Sequence, residues 1–499
     1  MALAPYFARA ALAAAQVVAG YDPDVFEERL KAQAVGVSVG GDACASPEGR
    51  AIADLAIRLM ARLYPSIELR IDDEGLCRAM VALALEINPE LELVSGAPIG
   101  IVVGEGSRPF STSVFAGSDG WVARVSPDQP RSVGATRNAF GAGAAACMAA
   151  AQLFRLVFLP PEMRAPDSVS FDTWSLDAGT ESAGPEEPPD IGEATVIGLG
   201  AIGNGVAWSL ARSGVTGELT LVDNEPIDLS NLQRYVLAGV ADVGRSKVEV
   251  IGERLGCSLI VRQAPERFEA YAERTGHAIE LAVIGLDSAA ARRAVAASLP
   301  HKVVNAWTQP GDLGVSVHGA FGGDGACVEC LYLADGRTRN EDELVADALG
   351  IPDEVRTVRQ LLVEGRPVPE PLLILIADRL GIDPSRAEAF AGRPVRELYV
   401  EGLCGGALVP IAAVGRTRPD MHVPLAHQSA LAGVLLGAAA VRAATGDVDG
   451  TRITRLNVLS SVGANLSQRA SARPNACICR DPDFVGRFNA KWPEGATGT

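Results

Sequence analysis

A chain of 499 residues is too long for one hydrophobic core and calls for about two to three domains. Its hydrophobic fraction of 48% can fill large cores, and its net charge of −17 argues against nucleic acid and anionic membrane as partners. The nine cysteines are unevenly clustered, which suits metal and thiol chemistry better than a disulfide framework.

Residues 1–20 have an A-x-A flavour, but Arg9 and Gln16 interrupt it and no basic segment precedes it. The stretch therefore reads as a surface helix rather than a signal peptide. Next come a strand (35–39), a polar turn, a helix (47–64) and a strand (67–71). Ser46 is the candidate N-cap, Pro47 takes the first helical position, and Glu48 follows. Ile52, Leu55, Ala56, Leu59 and Leu63 repeat at helical spacing. The same order returns at 195–223, residues 98–106 parallel 280–288, and the helix-like 137–156 parallels 426–443. These pairs predict an internal duplication offset by about 200 residues, with an unrelated α/β domain fused in front as the alternative. The first copy lacks charged machinery. Gly40-Gly41-Asp42 is no GxGxxG, no Asn-x-x-Arg follows Asp72-Asp73, and Gly104-Glu105 stand where the second copy has Asp287. Residues 161–193, rich in Pro, Gly, Ser and acids, read as a linker. The longest apolar stretch, 429–441 between His427 and Arg442, is shorter than the roughly 18 residues of a membrane span. No membrane is expected, and a cytoplasmic protein is.

Residues 194–247 carry the densest chemistry. An apolar run (194–197) leads into Gly198-Leu199-Gly200-Ala201-Ile202-Gly203 and then a helix-like segment. This is a strand–glycine-turn–helix unit whose backbone N–H groups can face a phosphate. A nicotinamide dehydrogenase would show the same glycines and the same acid, Asp223, after the second strand. The residues downstream decide between them: Glu225, Ser230-Asn231-Leu232-Gln233-Arg234 and Lys247 follow in order. A dinucleotide site has no use for this Asn, Arg and Lys. A site that breaks the α–β bond of a nucleoside triphosphate does, because charge develops on the phosphates.

On these residues the chain resembles the ThiF/MoeB and ubiquitin-activating enzyme superfamily, in a bacterial form with fused inactive and active halves. The glycine turn, the acidic pair Asp223 and Glu225, the segment 230–234, Asp242-Val243-Gly244 before Lys247, and Asp287 all fit the family pattern. Glu225 stands where the family usually has a second aspartate, and Tyr235 replaces a common Gln. The resemblance implies an α/β fold of two tandem Rossmann-like adenylation domains, the first degenerate, with a small helical insert in the second. The implied boundaries are 1–165 for the degenerate domain, 166–193 for the linker and 194–330 for the first part of the active domain. The insert and catalytic-cysteine segment follow at 331–404, the second part of the active domain at 405–480 and a tail at 481–499.

The resemblance also implies roles. Gly198, Gly200 and Gly203 let backbone approach ATP, Asp223 holds the ribose with Glu225 beside it, and Asn231, Arg234 and Lys247 contact the phosphates. Asp287 binds Mg²⁺, a hard cation that takes oxygen ligands, and Arg292 serves architecture. The substrate is the C-terminal glycine of a ubiquitin-like carrier protein, which then passes to a ubiquitin-conjugating-like enzyme. The degenerate half replaces the second subunit of a homodimer, so one chain supplies both halves. An arginine of that half is expected at the ATP, with Arg9, Arg29 and Arg137 as candidates. About twenty residues follow Cys479, so no appended ubiquitin-fold domain is expected.

The cysteines divide. Cys327-x-x-Cys330 follows a glycine-rich turn, Cys477-x-Cys479 lies near the C-terminus, and two chelating thiolate pairs match a closed structural zinc site. Cys404, in Glu401-Gly402-Leu403-Cys404-Gly405-Gly406, lies between the two pairs, where thioester-forming relatives carry their nucleophile; a structural thiol is the alternative. Cys44, Cys77, Cys147 and Cys257 read as small buried hydrophobes. Helix punctuation between 331 and 400, with a capping box at 340–343 and glycines at 350, 365, 381 and 392, predicts the helical insert. His301, His318, His422 and His427 share no metal-ligand spacing and read as loop or core residues. Two rivals remain: a sulfur-carrier adenylyltransferase that hands its carrier to a sulfurtransferase, and a non-catalytic scaffold that binds nucleotide or carrier.

Overall fold

The computed structural model describes residues 3–18, 21–160, 164, 167–256, 258–309, 312–333, 341–380, 382, 387–399, 423–446, 450–460, 462, 466–469 and 474–493. The chain divides into two compact units, one of residues 1–5, 31–333 and 426–499, the other of residues 6–30 and 334–425.

The larger unit holds two eight-stranded sheets. The first comprises β1 (Val35–Val39), β2 (Ser66–Ile71), β3 (Glu92–Leu93), β4 (Ile99–Val103), β5 (Thr112–Asp119), β6 (Val122–Ser126), β7 (Val169–Asp172) and β8 (Asp177–Ala178). The second comprises β9 (Glu193–Ile197), β10 (Gly217–Val222), β11 (Leu259–Ala264), β12 (Leu281–Ile284), β13 (Lys302–Gln309), β14 (Asp312–His318), β15 (Arg452–Leu456) and β16 (Ser467–Arg469). Their orders, β3-β2-β1-β4-β5-β6-β7-β8 and β11-β10-β9-β12-β13-β14-β15-β16, are the same position by position. In each sheet the first five strands run parallel and the last three turn antiparallel. The two sheets thus share one topology, as the internal duplication read from sequence predicts. Residues 166–193 are more than a linker: β7 and β8 pair there to finish the first sheet.

The central strands β1, β4 and β12 are buried along their whole length, which suits parallel strands covered on both faces. Ser46 caps the Pro47–Leu63 helix as expected, accepting from the Gly49 N–H at 3.1 Å. The Phe140–Phe158 and Ala426–Ala444 helices, built almost wholly of Ala, Gly and apolar residues, are buried nearly all round. Phe140–Phe158 is long and apolar enough to cross a membrane by length and composition, exceeding the 429–441 stretch, yet it lies within the protein core. Small residues let these helices pack closely: a Cβ on Gly433 would lie 2.6 Å from the Gly205 Cα of the Ala201–Arg212 helix.

The smaller unit gathers helices Phe7–Ala15, Glu341–Ala348, Val355–Glu364 and Glu370–Leu380. Its insert has its own core, including Leu349, Val358, Leu361, Ile376, Phe390 and Leu398. Gly365 ends a helix at φ 61° as the glycine punctuation predicted. The Phe7–Ala15 helix is no surface helix: Ala10 to Ala14 are all buried, because alanines offer no bulky face to keep outside.

A largely covered carboxylate ties the two copies together at one point of their contact. Asp54 accepts from Trp208 Nε1 at 2.7 Å and Arg58 Nε at 2.9 Å, and pairs with Arg212 Nη2 at 3.1 Å. Burial alone would raise its pKa, but Arg58 and Arg212, with hydrogen bonds from Arg58 and Trp208, hold it at about 2. A depressed carboxylate contributes stability that is full above its ordinary value of 3.8 and lost as pH falls through about 2. Asp54→Asn should lower stability at neutral pH by about 3 kcal/mol by stranding the buried Arg58 and the half-buried Arg212. The gap to wild type in urea titrations should narrow between pH 4 and 2; a gap independent of pH would refute the assignment.

Candidate functional site

The site forms where β9 ends. Gly198 sits at φ 88°, a left-handed conformation that side chains resist, and a Cβ on Gly203 would lie 2.3 Å from the Gly198 carbonyl oxygen. The Ala201–Arg212 helix starts at Gly200 with no side-chain cap, which leaves its first N–H groups for an anion. Asp223, at the end of β10, closes the turn: one carboxylate oxygen accepts from the Leu199 N–H at 2.8 Å and the other from the Glu225 N–H at 2.9 Å. Asn204, missed in the sequence, braces it from behind. Its Nδ2 donates to the Leu199 and Gly200 carbonyls, each at 3.0 Å, and its Oδ1 accepts from the Leu237 N–H at 3.1 Å. An amide in the apolar face of a helix was the available signal.

Two cations converge here. Lys247, first residue of the Lys247–Arg254 helix and 4% exposed, donates to Glu225 Oε2 at 2.6 Å and lies 3.6 Å from Asp223 Oδ2. Burial opposes its charge, but Tyr235, Asp223 and Glu225 outweigh that and raise its pKa, so it stays an ammonium. Arg234 presents a buried Nη1 with no hydrogen-bond partner. Burial lowers its pKa, countered by Tyr235, Asp287 and Asp228. Tyr235, where the family commonly has Gln, faces both cations, with Lys247 Nζ at 5.6 Å and Arg234 Cζ at 5.7 Å from its ring centroid. Asp287 follows β12 as an exposed carboxylate. Asn231 spends its Oδ1 on the Asp228 N–H at 3.0 Å, capping the short Leu229–Gln233 helix. Arg292 is architectural as expected, bonding the Ala306 carbonyl at 3.0 Å and the Leu286 carbonyl. A buried guanidinium nitrogen left unpaired is costly. Beside an uncapped helix start and an ammonium, it fits a polyphosphate.

The first copy fills the corresponding place with its own side chain. Asp42 accepts from the Glu105 N–H at 2.9 Å and the Gly106 N–H at 3.3 Å, between β1 and β4. Arg137 does not reach the glycine turn: its Cβ lies 3.5 Å from a Cβ built on Gly214, beyond the opposite end of the Ala201–Arg212 helix. Arg9 and Arg29 belong to the other unit.

The ThiF family matches residues 192–480, more than half of the chain. This chain belongs to the ThiF family. A second family, described as prokaryotic E2 family C, matches residues 39–159, within the first copy. An uncharacterized protein, y4jF, of Sinorhizobium fredii is 37% identical over 508 residues, covering 99% of this chain and 98% of its own. The sulfur carrier protein ThiS adenylyltransferase of Escherichia coli is 43% identical over 63 residues, 13% of this chain and 25% of that protein. The NEDD8-activating enzyme E1 catalytic subunit of Dictyostelium discoideum is 35% identical over 114 residues, 22% of this chain and 25% of that subunit.

In this ThiF-family chain the two cysteine pairs meet. Cys327, Cys330, Cys477 and Cys479 are buried, with all four sulfurs within 4.8 Å of one another. Cys330 Sγ lies 3.2 Å from Cys477, 3.5 Å from Cys479 and 3.9 Å from Cys327, and Cys327 lies 3.4 Å from Cys477. Zn–S bonds of about 2.3 Å in a tetrahedron place sulfurs about 3.8 Å apart, so the set fits zinc. Glu329 braces it, accepting from the Ile478 N–H at 3.3 Å and from Arg293 Nε at 3.3 Å. Cys44 and Cys147 are buried and Cys77 half-buried, while Cys257 and Cys404 lie outside the described residues. His318 and His427 are core residues, His301 is half-buried against Glu280 at 2.7 Å, and His422 lies outside the described residues. Elemental analysis should find one zinc per chain, and Cys479→Ser or a strong chelator should remove it and lower the Tm. Protein that is metal-free yet equally stable would reject the site.

Proposed function

We propose that this chain adenylates the C-terminal glycine of a ubiquitin-like carrier protein and then takes the carrier as a thioester on Cys404. The observation that carries the first step is the unpaired, buried Arg234 Nη1 beside Lys247 and the uncapped turn after Gly198. The ThiS adenylyltransferase and NEDD8-activating relatives support a carrier substrate. A carboxylate oxygen of the carrier attacks the α-phosphorus, the bond to the bridging oxygen breaks, and pyrophosphate leaves with the electron pair. Gly198, Gly200 and Gly203 admit the nucleotide, Asp223 and Glu225 hold its ribose side, and Asn231, Arg234 and Lys247 meet the charge building on the phosphates. Asp287 offers oxygen ligands to Mg²⁺, whose charge would offset that of the departing pyrophosphate.

In the second step the Cys404 thiolate attacks the acyl carbon and AMP leaves, after which a conjugating enzyme accepts the carrier. This step rests on the position of Cys404 in sequence between the zinc pairs. The likeness to the ThiS adenylyltransferase favours a second reading, in which adenylated carrier goes directly to a sulfurtransferase.

ATP–pyrophosphate exchange with candidate carriers tests the first step: Lys247→Ala or Asp287→Ala should reduce exchange about 100-fold or more with the fold intact. Near-normal exchange in either would sink the assigned roles. Non-reducing gels test the second. Wild type should form a reductant-labile carrier adduct that Cys404→Ala loses while still exchanging pyrophosphate. Brisk exchange with no adduct in wild type would favour the sulfur-carrier reading.

A further inference from the structure

Residues 235–238, immediately after Arg234, form a buried stretch outside regular helix and strand. Tyr235, Val236, Leu237 and Ala238 are 4%, 0%, 2% and 2% exposed. Such a stretch needs partners for its polar backbone. Asn204 satisfies the Leu237 N–H. The Tyr235 carbonyl accepts from the Ala238 N–H at 3.0 Å, and the degenerate copy supplies further donors to the stretch. Arg62 Nη2 donates to the Tyr235 carbonyl at 2.6 Å and the Ala238 carbonyl at 2.7 Å, and Arg58 Nη1 donates to the Val236 carbonyl at 2.8 Å. Both arginines lie on the buried face of the Pro47–Leu63 helix, and Asp54 anchors Arg58.

We propose that Arg58 and Arg62 are positioning residues for the nucleotide site, by which the degenerate copy completes the loop carrying Arg234 and Tyr235. The proposal rests on the adenylation reading above. Neither arginine touches the anion-binding groups; each fixes a carbonyl one to four residues from Arg234. The Tyr235 ring faces Arg234 and Lys247, and its hydroxyl lies 3.6 Å from a Cβ built on Gly200. Displacing the Tyr235 backbone therefore shifts the surface against which both cations and the glycine turn sit. The loss would fall on ATP and not on the carrier.

The test uses the full chain, with calorimetric binding of a β,γ-methylene ATP analogue and the KM values of pyrophosphate exchange. Arg62→Ala should weaken analogue binding and raise the KM for ATP by about tenfold or more, with the KM for carrier unchanged. Arg62→Lys should recover part of the loss, since an ammonium can still reach one carbonyl. Arg155→Ala removes a different bond between the copies, to the Ser460 carbonyl at 3.1 Å, away from Asp54 and the loop, so it should lower the Tm and leave analogue affinity intact. If Arg62→Ala does not fold, Arg62→Lys and Arg58→Lys carry the same expectation at smaller amplitude. Arginine variants that are folded and bind the analogue as wild type does would overturn the proposal, as would a wild type that binds none. A wild type that binds the analogue but exchanges no pyrophosphate would remove the adenylation reading alone.

Discussion

The fold depends on a seam in which charged side chains are buried between two copies of one topology. Asp54 could not remain ionised there alone; Arg58, Arg212 and Trp208 share it and satisfy it. Removing two charges from water costs several kcal/mol per ion, so such a cluster persists only with complete hydrogen bonding. Arg58 Nη1 then donates to the Val236 carbonyl, and Arg62 meets the Tyr235 and Ala238 carbonyls on either side. The seam and the candidate site are therefore one continuous polar network inside an apolar helix layer.

This arrangement separates what each copy must keep. The second copy must keep an open glycine turn, and does so with Gly198 at positive φ and Gly203 against its carbonyl. The first copy has no such constraint, and Asp42, in its turn after β1, binds the Glu105 and Gly106 N–H groups that follow β4. Its helix face toward the second copy, with Asp54, Arg58 and Arg62, carries the remaining demand.

Much of the fold was legible because periodicity and punctuation are local. Ser46-Pro47 marked a helix start to the residue, the glycine turn marked the strand–helix junction, and the spacing of the cysteine pairs marked their convergence. What was not legible depends on partners distant in sequence. Asp54, Arg58 and Arg62 look like the polar stripe of an amphipathic surface helix, and only the apposed copy shows Arg58 and Arg62 buried and Asp54 largely covered. The Phe7–Ala15 helix misled in the same way, since alanine is compatible with either surroundings. The strands at Val169–Asp172 and Asp177–Ala178 hid in a Pro- and acid-rich stretch because runs of four and two residues are too short to show an alternating pattern.

Charge supplies the last constraint. A protein of net charge −17 repels a polyphosphate at long range, but at physiological salt that field is screened beyond about 8 Å. What remains is the local field, and there the buried Lys247 and the buried Nη1 of Arg234 act through a low dielectric that strengthens each contact. Asp223 and Glu225 keep Lys247 protonated and fixed in the absence of phosphate, so the site need not bury an unpaired ammonium while it waits. Arg234 has no such guard on Nη1. Under the proposed function, that asymmetry would make Arg234 the cation that gains most from a bound phosphate, and the placement of its loop the variable that decides the gain.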